Sequence, residues 1–461
     1  MKKLRRIRQL KNKFFLFFIY ILFFISCSVN KKDIVSNIDY NNYIKNLEAK
    51  TEETIGTELT LKECLEIVLK NNLNIRAREI EYQIAKLDKK ISFANFLPQI
   101  NLNFSYRNWK QQPETLVSSG TYRAMQDKSI TDYGMEIKMP LFVPATWFLY
   151  SAFSQGEQIS EIVLDYTKQM ITLETIILFY DALKTEATIN YITSQINAAK
   201  SILNEFEEYY KEGLLLDWQL EEFKTYLFSQ YVELNRLKRN ESLIKSQLLT
   251  NMGLSPFKEI RLKYEENNEL KKESLENLII EALKNNPQTK IIAKNIDIAQ
   301  DKIKIAISNF LPSLFSFVNI SHTSNSYTKY ATQTISGLSG IMTIFNGFAN
   351  VYEYQKAKKT AEEYYLKQEE TILKVMIQVL EAYNNLQTVE DYFQLTGKSL
   401  DTEEMKLKNI KEKYKENLIS LSELLQTIAR RDNAFSNFIT MKFNREVAKA
   451  ALNTALGKIN Y

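Results

Sequence analysis

The chain has 461 residues, 45% hydrophobic and 25% charged, with only 11 glycines and 7 prolines. Turns draw on Gly and Pro, so their scarcity points to a few long elements rather than the roughly three domains that length alone suggests. Two cysteines, Cys27 and Cys64, exclude a disulfide scaffold, and the single histidine, His322, argues against His-based zinc or triad chemistry. The formal charge of +5 has one source: residues 1–13 carry seven bases and no acid, and the remaining 53 bases stand against 55 acids. Such a balance leaves no polyanion-binding surface and excludes nucleic acid as a partner class.

After the basic segment come twelve apolar residues, 14–25, too few for the ~20 helical residues that span a bilayer. With the basic start they predict a secretory signal over residues 1–26. Phe24-Ile25-Ser26-Cys27 resembles the lipobox of bacterial lipoproteins, with Phe24 where Leu is usual, so Cys27 is the expected lipidation site. Ordinary cleavage nearby and an uncleaved signal anchor are the alternatives, and all three put the rest of the chain outside the cytoplasm. Residues 27–57, polar and rich in Asn, Lys and Glu, read as a linker.

The chain then repeats itself. LKNNLNIRA at 69–77 returns as LKNNPQTKI at 283–291, and Phe96-Leu97-Pro98 as Phe310-Leu311-Pro312, both at an offset of 214. Tyr180-Asp181-Ala182-Leu183 matches Tyr383-Asn384-Asn385-Leu386, Tyr210 to Leu214 matches Tyr414 to Leu418, and Gly253 matches Gly457. Ordered anchors of this kind define an internal duplication with halves at 58–257 and 272–461, joined by a linker at 258–271.

Each half reads helix, strand pair, long helices. The spacing predicts a helix over 60–96, opened by a Thr60/Glu63 capping box and stopped before Pro98, with Cys64 on its apolar stripe. The period then changes to two. Ile100, Leu102, Phe104 and Tyr106 alternate with polar residues, and Tyr133, Met135, Ile137, Met139 and Leu141 do so on the return. Strands over about 99–142 are long enough to cross a bilayer, with Trp109, Phe142, Trp147 and Phe148 placed for an aromatic girdle. A second pair, at about 313–323 and 334–345, alternates less cleanly through Leu314, Val318, Ile320, Leu338, Met342 and Ile344. His322 reads as a loop residue near a strand end, and no further sheet is expected. Four-three spacing follows in Ile159, Val163, Tyr166, Met170, Leu173, Ile177, Tyr180, Lys184, Ala187 and Tyr191. It recurs in Ala361, Tyr365, Gln368, Ile372, Val375, Val379, Ala382, Leu386, Val389 and Phe393, and it predicts coiled-coil packing in both halves.

Four strands cannot close a barrel alone, because the smallest transmembrane barrels have about eight, and lipid tolerates no open sheet edge. At this point the sequence resembles the outer-membrane efflux proteins, the TolC and OprM family, over residues 58–461. The resemblance rests on LTLKECLEIVLKNN at 59–72, the doubled Phe-Leu-Pro, Pro140-Leu141-Phe142 and Phe345-Asn346-Gly347, and the turn at Tyr210/Gly213. It implies a mainly α chain with a transmembrane β part, pooled in a homotrimer into a 12-stranded barrel and an α-helical periplasmic tunnel. It further implies a passive exit duct in the outer membrane of a Gram-negative bacterium, fed by an inner-membrane pump through a periplasmic adaptor.

By the same resemblance, the periplasmic gate falls on Tyr210, Gly213 and Gln219 in the first half. In the second half it falls on Tyr414, Asn417, Ser420, Glu423 and Gln426. Asn417 stands where glycine is usual. Glu423 and Gln426 occupy the positions of two pore-lining aspartates, of which only the first keeps a charge. Leu214, Leu215, Leu418 and Ile419 follow the turns and are either adaptor contacts or residues packed back on the helices. No phosphate-cradling loop, dinucleotide fingerprint, metal cluster or triad occurs, so neither enzyme activity nor a cofactor is expected. A lipid-anchored coiled-coil tether or adaptor without a pore is the rival reading.

Overall fold

The computed structural model describes residues 39–265, 273–416 and 418–458. The signal segment, the lipidation site Cys27 and the turn residue Asn417 lie outside them. Tyr40–Thr54 forms helix α1, a compact unit by itself, with Asp39 Oδ1 accepting from the Asn41 and Asn42 amides at 3.1 and 3.3 Å. It falls within the stretch expected to be linker. Tyr40, Tyr43, Ile44 and Leu47 recur there at helical spacing, a stripe that the polar composition hides.

The second unit begins at Ile55. Strand β1 (Glu58–Thr60) leads into α2 (Leu61–Asn71), and the expected capping box forms: Glu63 N–H donates to Thr60 Oγ1, and the Glu63 carboxylate accepts from Thr60 N–H. Cys64 is fully buried, and burial pushes its thiol up to about 12. The single helix expected over 60–96 is two. Asn72 (φ −58°, ψ 127°) breaks it, and α3 (Leu73–Ala94) restarts under the cap of the Asn72 side chain. Local hydrogen bonding by Asn offers the backbone this alternative to helix, and period alone does not reveal it.

The second half uses the same device. Asn286 (φ −59°, ψ 130°) separates α6 (Leu275–Asn285) from α7 (Pro287–Ser308), with Pro287 at the first helical position. Each break also binds a distant helix end: Asn72 Nδ2 donates to Asn251 O at 2.7 Å, and Asn286 Nδ2 to Ala455 O at 3.2 Å. Gly253 (φ +67°) and Gly457 (φ +74°) close these contacts. A Cβ would lie 2.6 Å from Asn71 O at Gly253 and 2.8 Å from Asn285 O at Gly457, so no other residue fits without displacing backbone.

Strands β2 (Gln99–Asn108), β5 (Ser129–Phe142), β7 (Ser313–Thr323) and β8 (Thr332–Ile341) form one antiparallel sheet in the order β2-β5-β7-β8. A short hairpin, β3 (Glu114–Leu116) and β4 (Tyr122–Ala124), fills the longer first loop. Pro140 is tolerated inside β5 because β2 begins at Gln99, opposite Lys138, which leaves that side of Pro140 unpaired. The last strand covers 332–341 instead of 334–345. Ile341 pairs with Ser313, the first residue of β7, so Met342 and Ile344 have no ladder to join. A further two-stranded parallel sheet joins β1 to β6 (Arg261–Lys263), inside the stretch expected to be inter-repeat linker.

Two hairpins of long helices complete the chain: α4 (Pro144–Lys211) with α5 (Asp217–Asn251), and α8 (Ala349–Lys415) with α9 (Leu421–Ala455). At 1.5 Å per residue, α4 (68 residues) and α8 (67 residues) are each about 100 Å long. Helices α3, α4, α7 and α8 lie side by side in that order, with α9 packed on both α4 and α8. On α8 the expected stripe is buried or half-buried except for Tyr365. On α4 the seam is displaced. Leu164, Ile171, Thr175, Ala182, Ile189 and Ile196 are buried, whereas Met170 and Ile177 of the expected stripe are exposed. Contact with α3, α5, α7 and α9 buries a broad face of α4, of which a single four-three stripe captures only one margin.

Candidate functional site

The sheet is the first candidate surface. Register puts Ile100, Ile137 and Val318 in one cross-strand row, Leu102, Met135 and Ile320 in the next, then Phe104, Tyr133 and His322. Residues opposite each other in a ladder share a face, so across β2, β5 and β7 these rows form one apolar face, which β8 continues with Ser336, Thr334 and Thr332. Leu102 and Phe104 are 66% and 72% exposed on it, and no helix covers its central stretch among the described residues. His322 is part of this face and not a loop residue. Its ring stacks on Tyr133 with centroids 4.7 Å apart, and Nδ1 lies 2.8 Å from Thr332 Oγ1.

The opposite face carries Asn101, Glu136 and Asn319 with Ile335 at the β8 edge, then Asn103, Ser321 and Gln333, with Arg107 paired to Asp132. Gly134 lies beneath Asn103, where a Cβ would meet Asn103 Oδ1 at 2.7 Å. An apolar face turned to lipid and a polar face turned to water is the arrangement of a transmembrane barrel wall. At the helical end of the sheet, Phe96 meets Trp147 and Tyr150 at 5.9 and 6.2 Å, and Phe142 meets Trp147 at 5.8 Å. Trp109 stands beyond the far end of β2, and Phe148 packs beneath Lys304.

The helix turns are the second candidate. Glu212 caps α4, and Gly213 (φ +74°) lets the chain turn back. Gly213 N–H donates to Tyr210 O and Leu214 N–H to Tyr209 O, the paired bonds of a Schellman motif. The Tyr210 hydroxyl bonds the Asp217 carboxylate across the turn, which pushes the phenol above its ordinary value. In the second turn Leu418 N–H donates to Lys413 O in the same way.

Two predicted gate residues prove to be caps. Gln219 Oε1 accepts from Leu216 N–H at 3.0 Å, and Ser420 Oγ from Glu423 N–H at 3.2 Å. Tyr414 is half-buried against Phe206, and burial raises its hydroxyl. Glu423 and Gln426 come together on one side of α9, lining a groove of about 570 Å³ with Glu403, Lys406 and Arg430.

At the tips Leu214 and Leu418 are exposed, whereas Leu215 and Ile419 are half-buried. Sequence reasoning missed Leu216 and Trp218, 60% and 62% exposed beside Leu214. Their signal was legible: Leu216 is the N-cap and Trp218 lies in the first turn of α5, and neither position turns a side chain into the hairpin core. Among the described residues no acidic, His or Cys cluster could hold a metal ion.

Residues 278–458 match the sequence profile described as outer membrane efflux protein. No curated protein matches the chain. Among solved structures it is similar to the outer membrane protein VceC from Vibrio cholerae, at 14% identity and TM-score 0.74, over 86% of this chain and 96% of that one. A membrane protein from Pseudomonas aeruginosa aligns at 15% identity and TM-score 0.76, over 89% and 93% of the two chains. The Campylobacter jejuni CmeC outer membrane channel aligns at 17% and 0.74, over 86% and 85%. Residues 278–458 thus resemble the outer membrane efflux protein family, and the fold over both halves is similar to that of solved outer-membrane channels.

Proposed function

We propose that three copies of this chain form an outer-membrane exit duct, a 12-stranded barrel above a helical periplasmic tunnel, which passively conducts substrates delivered by an inner-membrane pump and a periplasmic adaptor. The observation that carries this reading is a pair of matching free edges. The sheet ends at β2 and β8, and the helical row beneath it ends at α3 and α8, the neighbours of those strands in sequence. The alternating directions let β8 of one copy pair antiparallel with β2 of the next, and lipid requires that such edges be closed. Exposed Ile80, Ile84, Leu87 and Ile91 on α3, and Leu366, Leu373 and Ile377 on α8, supply an apolar contact along the same seam. The recurring Asn breaks, glycine closures and turns support an origin by duplication, with halves at 58–257 and 272–461.

The turns are the periplasmic end in this reading, with Glu423 contributing one acidic ring. The first turn, through Leu214, Leu216 and Trp218, is the main adaptor contact, because the second presents only Leu418 as a fully exposed apolar side chain. Cys27 is the site of lipid attachment. Reconstitution in a planar bilayer tests the reading: stepwise conductance by a band that migrates faster before boiling is expected, and a protein that neither conducts nor shifts on boiling contradicts it. Leu214→Asp with Trp218→Asp should abolish crosslinking to the adaptor and leave the boiling shift intact.

A further inference from the structure

Toward the helices the polar face of the sheet changes character. Gln99, Lys138 and Phe317 form one cross-strand row, and Pro140 and Phe315 the next. Here the sheet meets the start of α4 and the side of α7, and the corner holds a cavity of about 400 Å³. Lys138 is the one charged residue that lines it. Its Nζ lies 4.2 Å from the centroid of Phe315, and among the described residues no carboxylate pairs with it. Glu136, one row farther along the same face, is exposed and does not line the cavity. The apolar walls are Phe315, Pro140, Val143, Leu149 and Ile305.

The wall formed by α4 adds a group that lacks a partner. Thr146 is only 7% exposed, yet its hydroxyl makes no hydrogen bond among the described residues. Farther along α4, Thr167, Thr175, Thr185, Thr188 and Thr193 each donate to the carbonyl four residues earlier. The residue four before Thr146 is Phe142 of β5, outside the helix, so Thr146 has no helical carbonyl to reach. A buried hydroxyl left unpaired is costly, and a ligand in the cavity can supply the missing partner. The same turn has no side-chain cap, since its N-cap is Val143, and Ala145 lines the cavity beside Thr146. A bare helix start favours negative charge. The unpaired ammonium, the unsatisfied hydroxyl and the uncapped turn therefore favour the same kind of group.

We propose that this corner binds an organic anion, a carboxylate or sulfonate carried on an apolar ring body, with the anionic group held by Lys138 and Thr146 and the body against Phe315 and Leu149. An inorganic anion would leave the apolar walls wet, and a cation would meet Lys138 with no acid in the lining to offset it. That the corner lies on the wall of the lumen, so that such anions are cargo pausing there, rests on the channel reading above; binding itself does not. A site on a duct wall must hold its cargo weakly enough to let it leave, and an open corner suits that.

Equilibrium dialysis of the full chain in mild detergent tests the site, with the same detergent on both sides so that uptake by micelles cancels. Cinnamate is the probe, and cinnamyl alcohol and cinnamylamine are its uncharged and cationic counterparts. Cinnamate should bind at about one molecule per chain and at least about tenfold tighter than the alcohol, the weight of one charge-assisted contact, with the amine weaker still. Lys138→Gln should erase that preference and Lys138→Arg should keep it. Thr146→Val should weaken cinnamate by about fivefold, the weight of one ordinary hydrogen bond. Equal affinity for cinnamate and the alcohol, an unchanged preference in Lys138→Gln, or the absence of saturable binding overturns the site. Should Lys138→Gln not fold, the three probes on the unsubstituted protein and on Thr146→Val decide the matter. A particle that prefers cinnamate but carries no current in a bilayer would sink the channel and leave the site standing. One that conducts without preferring the anion would do the reverse.

Discussion

Helices α4 and α8 occupy equivalent places in the two halves and have almost the same length, yet α4 buries 17 residues and α8 only six. Composition does not explain this, since α8 also carries long apolar side chains. Leu366, Leu373 and Leu395 are 67%, 62% and 58% exposed on it. What differs is position in the row: α4 is packed between α3 and α7 with α5 and α9 behind it, while α8 has α7 on one side and α6 and α9 behind it, but among the described residues no helix on its other side. Burial within one chain thus follows a helix's place in the row as much as its hydrophobicity, and the exposed apolar stripe of α8 is the surface that the proposed trimer would cover.

That contrast can be broken most sharply from the α8 side. Leu373→Asp should leave the unfolding free energy of the isolated chain within about 0.5 kcal/mol, as for surface changes in general, and abolish the proposed trimer. Particle mass and a circular dichroism melt on the same sample check both halves of this statement. Phe179→Ala on α4 should do the reverse in kind. At 1% exposure its loss should cost the chain about 3–5 kcal/mol, visible in denaturant unfolding whether or not the protein assembles.

Gly253→Ala should destabilise more than Gly213→Ala, although both residues have positive φ, because only at Gly253 would the new methyl strike backbone, at 2.6 Å. The Gly213 change should cost about 1 kcal/mol for its left-handed backbone, and comparative melts of the two variants measure the difference. Ser420→Ala should cost about as much as the Gly213 change, about 1 kcal/mol from the lost cap, with Ser420→Thr restoring most of it.

The elements most legible in the sequence were those with a long period or a hard stop. The capping box at Thr60 and Glu63, the helix end before Pro98 and the alternation through Ile100 to Tyr106 all follow from local rules, and each has its counterpart in the fold. The breaks at Asn72 and Asn286 were visible only as repeated letters. Their reason is tertiary, since each asparagine caps one helix while holding the end of another about 170–180 positions away along the chain. The α4 seam was misread for a related cause: four partners bury more of a helix than one heptad stripe describes. At the tips, family resemblance marked Gln219 and Ser420 as gate positions, and hydrogen bonding shows that both also cap their helices. The hydrogen bond between Tyr191 of α4 and Asp432 of α9, 241 positions apart, had no signature in sequence at all.

The measurement that bears most directly on the central claim is the native mass of the particle, extracted from membranes in mild detergent and corrected for bound detergent. Two open edges on a four-stranded sheet require more than one chain, and the resemblance to the efflux proteins sets the expected number at three mature chains per particle, which together supply twelve strands. A stable monomer that does not aggregate would mean that the edges of β2 and β8 need no partner, and the channel would give way to an anchored coiled-coil tether.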